Sequence, residues 1–169
     1  MGMDVHGENP KINKKLSQYP IFTKYKDMDY KEKWKILDTD EKIREKFCKE
    51  QRKYEEDNVG VYFRNSWWSW RPLWDYCYQN SSVITEEDWE KGHHNNGHLI
   101  DEDKAIALGT RLYVLLESGL VKEYQTKYTE EQMLAEEKGD KWATHYLFCE
   151  SNVKRFADFC LESGGFRMS

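Results

Sequence analysis

No stretch of this chain approaches the ~20 consecutive apolar residues that a membrane-spanning helix needs, and its first ten residues, MGMDVHGENP, lack the apolar centre of a signal peptide. The expected compartment is therefore the cytoplasm, with no membrane among the partners. Its four cysteines, Cys48, Cys77, Cys149 and Cys160, are widely separated and include no C-x-x-C, which predicts buried free thiols. Lysine and arginine (26) do not outnumber aspartate and glutamate (31). The chain thus has no overall cationic excess to neutralise phosphates, and general nucleic-acid binding is not expected, although a local basic pocket stays open. A nucleophile elbow, a P-loop, a dinucleotide fingerprint, an internal repeat and a low-complexity linker are also missing. No motif specifies an activity, and a binding protein is expected ahead of an enzyme.

The 169 residues present are enough for one domain with a real core. Aromatic residues make up 15% and charged residues 34% of the chain, so apolar area is concentrated in a few large side chains under a well-solvated exterior. Residues 11–57 are dominated by Lys, Glu, Asp and Tyr and read as a charged helical segment at the periphery of a single domain spanning 1–169. Within it, Thr39 or Asp40 caps a helix whose Ile43, Phe47 and Tyr54 form a narrow apolar stripe.

The predicted fold class is α+β, mainly helical, with a small sheet built from short strands near the N-terminus (Met3 to His6), at residues 59–63 (VGVYF) and at the C-terminus (Phe166 to Met168). Gly60 marks a bulge or a close backbone approach. Pro72 is placed in the first turn of a helix reaching Tyr78. Thr85 with Asp88 forms a capping box for a short turn ended by Gly92. Asp101 caps a helix whose Ala105, Leu108, Leu112 and Leu115 fall on one face, with Gly119 as its stop. Thr129 with Gln132 suggests another helix start, and Ser151 a last one, in which Val153, Phe156, Ala157 and Cys160 share a face before Gly164 and Gly165.

Three segments together resemble a family of small uncharacterised bacterial and phage proteins: MGMDVHGENP, GVYFRNSWWSWRPLWDYC and THYLFCESNVKRFADFCLESGGF. The shared pattern is an N-terminal MGMDVxG stretch, a YFRNxWWxWRPLW box and a C-terminal FxxFxxxSGGF segment. The resemblance implies a bacterial or phage context, a host cytoplasm if the chain is phage-encoded, and an insertion from about Lys11 to Asn58. A Cys/Gly-rich segment of some longer members is missing here, which argues against a zinc-finger role.

Two groups of residues carry the chemistry. The first is the block from Arg64 to Tyr78, where Arg64, Asn65, Trp67, Trp68, Trp70, Arg71 and Trp74 offer π faces and guanidinium forks. Stacking a base is worth roughly 1–3 kcal/mol and an Arg fork grips a phosphate bidentately. The same tryptophans also serve as a core, with the arginines paired to acids such as Asp75. The second is GHHNNGHLIDED, where Asn95, Asn96 and His98 suit an anion and where His93, His94, His98 and Asp101 suit zinc or manganese. Turn-forming polar residues before a helix cap explain the same loop without a ligand. His145 is a further candidate able to approach either group.

The leading expectation is a protein without cofactor that holds a small anionic, nucleotide-like ligand between the Trp block and the His/Asn loop. In a phage context it would sequester a host nucleotide signal. Two alternatives stand beside it: a metal-dependent hydrolase built on the His loop, and an interaction module, compatible with a homo-oligomer, in which residues 11–57 dock a partner.

Overall fold

In the computed structural model, which describes residues 2–169, the chain is mainly helical and α+β. In chain order the elements are β1 (Gly2–Gly7), α1 (Pro20–Tyr25), α2 (Tyr30–Leu37), α3 (Glu41–Asp57), β2 (Tyr62–Ser66), α4 (Trp67–Ser81), α5 (Glu86–Lys91), β3 (His98–Ile100), α6 (Glu102–Glu117), α7 (Leu120–Glu137), α8 (Glu150–Glu162) and β4 (Phe166–Met168). Single 3-10 turns lie at Leu16–Gln18 and Ala143–His145. Backbone contacts divide the chain into two compact units, Met1–Lys11 with Gly60–Ser169, and Ile12–Val59.

The first unit is a helical layer on one face of an antiparallel sheet of order β2-β1-β4-β3. Alternation sets that face: Met3 and Val5 of β1, Phe63 of β2, Ile100 of β3 and Phe166 and Met168 of β4 are all buried, as the two-residue period of a half-buried sheet requires. The registers Phe63 to Val5 to Met168, and Ile100 to Phe166 to Gly7, place these side chains on one face in neighbouring cross-strand rows. The two ends of the chain therefore pair directly, through β1 and β4. Against the sheet lie Val153, Phe156, Ala157 and Cys160 of α8, and Ala105, Leu108, Leu112 and Leu115 form the inner face of α6, which packs on α8, all of them buried. Phe156 is central, touching the rings of Phe63, Trp70, Trp74, Phe159 and Phe166.

The second unit has a core of its own, made by Tyr25, Leu37 and Phe47 with Ile21, Phe22, Trp34 and Ile43 packed on it. Asp29 caps α2 and Asp40 caps α3 through side-chain acceptors. Glu50 accepts from the backbone N–H groups of Ile21 (2.7 Å) and Phe22 (3.0 Å), so a carboxylate of α3 sits at the open start of α1.

Several boundaries differ from the sequence reading. The strand predicted at residues 59–63 lies at Tyr62–Ser66, because Gly60 approaches the backbone of Glu162 so closely that a Cβ there would overlap its carbonyl. A strand at His98–Ile100, unforeseen, completes the sheet by pairing with β4. Helix α7 starts at Leu120 rather than near Thr129: Gly119 in the left-handed region (φ 78°) turns α6 straight into α7, and the Thr129 hydroxyl bonds back to the Gln125 carbonyl inside the helix. Cys149, not Ser151, occupies the N-cap of α8. All four thiols are free, but only Cys77 and Cys160 are buried.

Truncating Phe156 to Ala removes the ring on which five others converge. It is expected to cost about 3–5 kcal/mol, read as a lowered urea midpoint with an unchanged slope, whereas a loss under 1 kcal/mol would contradict this core.

Candidate functional site

Ser66 is the N-cap of α4, its hydroxyl accepting from the Ser69 N–H at 3.2 Å, so the helix begins at Trp67 and Pro72 lies inside it. That corrects the expected start at Pro72 and creates a consequence. Proline has no N–H to give to the carbonyl one turn earlier, which leaves the Trp68 oxygen to another donor. The Leu147 N–H takes it at 3.0 Å. The missing donor of Pro72 thus fastens the segment around residue 147 onto α4, and Phe148, buried against Tyr76 and Tyr124, holds it from the other side.

The tryptophans of the block divide into two groups. Trp70 and Trp74 are fully buried, stacked on each other with centroids 5.3 Å apart, and meet the edge of Phe156. Their indole N–H groups reach the carbonyls of Gly92 (2.8 Å) and Trp89 (3.2 Å). Gly92 has no alternative residue there, since a Cβ would overlap the Trp74 indole. With no open face, Trp70 and Trp74 leave the expected ligand set and become the support of α5.

Trp68 faces outward, 38% exposed, beside Trp142 at 61%. Their rings are nearly parallel (11°) with centroids 6.2 Å apart, an offset contact in the ordinary range for aromatic pairs. His145 lies 5.5 Å from Trp68 and 5.2 Å from Trp142, and Tyr146 meets Trp68 edge-on at 4.8 Å. Arg71 donates to the Tyr146 hydroxyl at 3.5 Å and lies over the Trp67 ring at 5.3 Å. Its guanidinium is exposed and makes no ion pair among the described residues. Trp142 and Tyr146 were not read as site residues from the sequence; the spacing in KWATHY, with Trp, His and Tyr at i, i+3 and i+4, was the available signal.

The other predicted residues are placed elsewhere. Arg64 is paired with Asp4 at 3.4 Å, and Asn65 is buried in β2 with its Nδ2 unpartnered. Asn95 donates to the Gly2 carbonyl at 3.4 Å and Asn96 accepts from the His98 N–H at 3.2 Å, both as loop-forming contacts. His93 bonds Asp75 at 3.2 Å, where the Trp89 indole also donates at 2.7 Å. Burial opposes the Asp75 charge, yet these two hydrogen bonds hold its carboxyl below the ordinary value. His93 and His94 line a surface hollow of about 400 Å³ with Trp89, Glu90 and Lys91, which none of the residues from Trp67 to Trp74 enters.

His98 bonds Asp88 at 2.9 Å, and Asp88 also takes Lys104 at 2.6 Å and the Thr85 hydroxyl at 2.7 Å. Burial pushes the Asp88 carboxyl up, but donors from Lys104, His98 and Thr85 outweigh it and hold the group well below the usual carboxylate range. Asp101 accepts from the Lys104 N–H and caps α6. His93, His98 and Asp101 therefore serve three different partners while His94 stands in solvent. The zinc or manganese alternative finds no assembled ligand set: no group of three His, Cys, Asp or Glu side chains placed for a metal occurs among the described residues.

No protein-family model, curated protein or solved structure matches this chain; its function is argued from its own residues.

Asp88 ties α5, β3 and α6 together, so Asp88→Asn is expected to lower stability by about 2 kcal/mol, within the 1.5–3 of hydrogen bonds to a charged group. Because its folded pKa is depressed, the contribution of Asp88 is complete above the unfolded carboxylate value of about 4. It is lost as the pH falls toward the folded value. Urea midpoints of the Asn variant should therefore fall less steeply with acid than those of the parent; parallel curves would contradict the assignment.

Proposed function

We propose that this is a small-molecule binding protein that holds a planar anionic ligand, a nucleotide in the simplest case, on the exposed rings of Trp68 and Trp142, with Arg71 on its charge. The observation that carries this reading is the pair of solvent-facing, nearly parallel indoles beside an unpaired guanidinium. Leaving two of the largest apolar side chains in water forgoes burial worth about 25 cal/mol per Å², and a base laid on an outer ring face recovers part of it. Every base has such a face, so the rings supply affinity without strong choice among bases. His145 and Tyr146 add polar edges at the rim of the same cluster. Arg71 lies over the Trp67 ring, a cation–π contact that leaves its guanidinium N–H groups to meet a phosphate.

Compared with the sequence expectation, the ligand moves from a space between the Trp block and the His loop to the cluster of Trp68, Arg71, Trp142, His145 and Tyr146. Its chemistry is the same.

Titrating intrinsic fluorescence with matched nucleosides and nucleotides tests both components. Trp68→Ala and Trp142→Ala should each weaken nucleotide binding about 10- to 100-fold, the equivalent of 1–3 kcal/mol of stacking. Arg71→Ala should weaken nucleotides while leaving nucleosides unchanged. A flat response across the panel, or equal losses for both ligand types in Arg71→Ala, would reject the proposal.

A further inference from the structure

The second unit carries a feature that the aromatic cluster does not use. Lys42, Lys46, Lys49 and Lys53 of α3 fall at i, i+4, i+7 and i+11 and so share one narrow face of the helix. At 1.5 Å per residue their stems span about 16 Å. All four are exposed, and with Gln18, Tyr19, Glu45 and Glu50 they line a groove of about 580 Å³. The ion pairs of the helix among the described residues are Arg44 with Asp38 and Glu41, and Lys53 with Asp57. Lys42, Lys46 and Lys49 have none.

Like charges four residues apart destabilise a helix, and here two such pairs, Lys42 with Lys46 and Lys49 with Lys53, stand on the same face. Of the neighbouring carboxylates, Glu50 is bound to the Ile21 and Phe22 N–H groups and Asp57 is paired with Lys53, so Lys42, Lys46 and Lys49 carry the unpaired charge of this face. The charge balance of the segment agrees: Ile12–Val59 holds 13 Lys and Arg against 11 Asp and Glu, a net +2, while the whole chain is −5.

The geometry points to a track for the backbone of a single-stranded nucleic acid. Lysine ammonium groups act as point charges toward phosphate, whereas planar recognition of carboxylates favours arginine; the helix arginines, Arg44 and Arg52, are outside the groove lining. One row of charges follows one phosphate chain, and a duplex would present a second. Tyr19, the aromatic residue lining the groove, is buried with its hydroxyl bonded to Asp57 at 2.6 Å, so bases find no stacking face and the contact is made to phosphates of any sequence.

Fluorescence anisotropy of labelled oligothymidylate with the full-length chain tests this. Three phosphate contacts, from Lys42, Lys46 and Lys49, predict that log K falls against log salt with a slope of about −2.1 for a single strand. Lys46→Gln with Lys49→Gln, which keeps the stems and removes two charges, should cut that slope to about −0.7 and weaken binding about tenfold or more at about 50 mM salt. Lys122→Gln with Lys138→Gln, in the first turn of α7 and just after its end, should change neither, and far-UV circular dichroism of both variants should match the parent. No binding at about 50 mM salt, an unchanged slope in the groove variant, or binding of inorganic polyphosphate or polyglutamate without oligothymidylate would each overturn the inference.

Discussion

The first unit is organised by the stacked pair of Trp70 and Trp74. Their rings are fully enclosed, and each indole N–H is aimed at a carbonyl at the end of α5. Burying a large aromatic side chain stabilises by roughly 1.5–3 kcal/mol, but an indole nitrogen enclosed without an acceptor would cost a comparable amount. Both demands are met because Gly92 lets its backbone approach where a side chain would collide. The same two rings seat Phe156, and Phe156 links α8 to Phe63 of β2 and Phe166 of β4. Helix α4 therefore fixes the sheet, the last helix and the histidine-bearing segment through one contact set.

A second consequence of α4 lies on its outer side. Pro72 leaves the Trp68 carbonyl without its intrahelical donor, and Leu147 supplies one from a distant part of the chain. The turn before it, Ala143–His145, is thereby held with Trp142, His145 and Tyr146 beside Trp68. The enclosed Trp70 and Trp74 and the exposed Trp68 share one helix, so the packing of Trp70 and Trp74 sets the direction in which Trp68 points. The buried carboxylate of Asp88 acts similarly for the neighbouring segment, since His98, Lys104 and Thr85 all converge on it.

What was legible in the sequence was what local backbone chemistry decides. Asp101 caps α6, Thr85 and Asp88 form a capping box, and Gly119 ends α6 with a positive φ, each within a few residues of its partner. The α+β class and the meeting of the two terminal strands were also readable from alternation and end placement. The start of α4 was not, because Pro72 fits a first turn and an interior equally well until the Leu147 donor is known. Strand β3 is three residues long and exists through pairing with β4. The division of the tryptophans depends on Phe156 and on residues 142–147, all distant in sequence. For the same reason His93 and His98 read as a joint metal site, although Asp75 and Asp88 hold them apart on separate carboxylates.

The central claim separates enclosed indoles, which build the protein, from open ones, which meet the ligand. The chain has seven tryptophans, and their indole N–H signals in a nitrogen-correlated NMR spectrum report each ring separately. With guanosine monophosphate added, the signals of Trp68 and Trp142 should move and exchange rapidly with solvent, while those of Trp70 and Trp74 stay in place and resist exchange. Shifts at Trp70 and Trp74 with Trp68 and Trp142 unmoved would contradict the account.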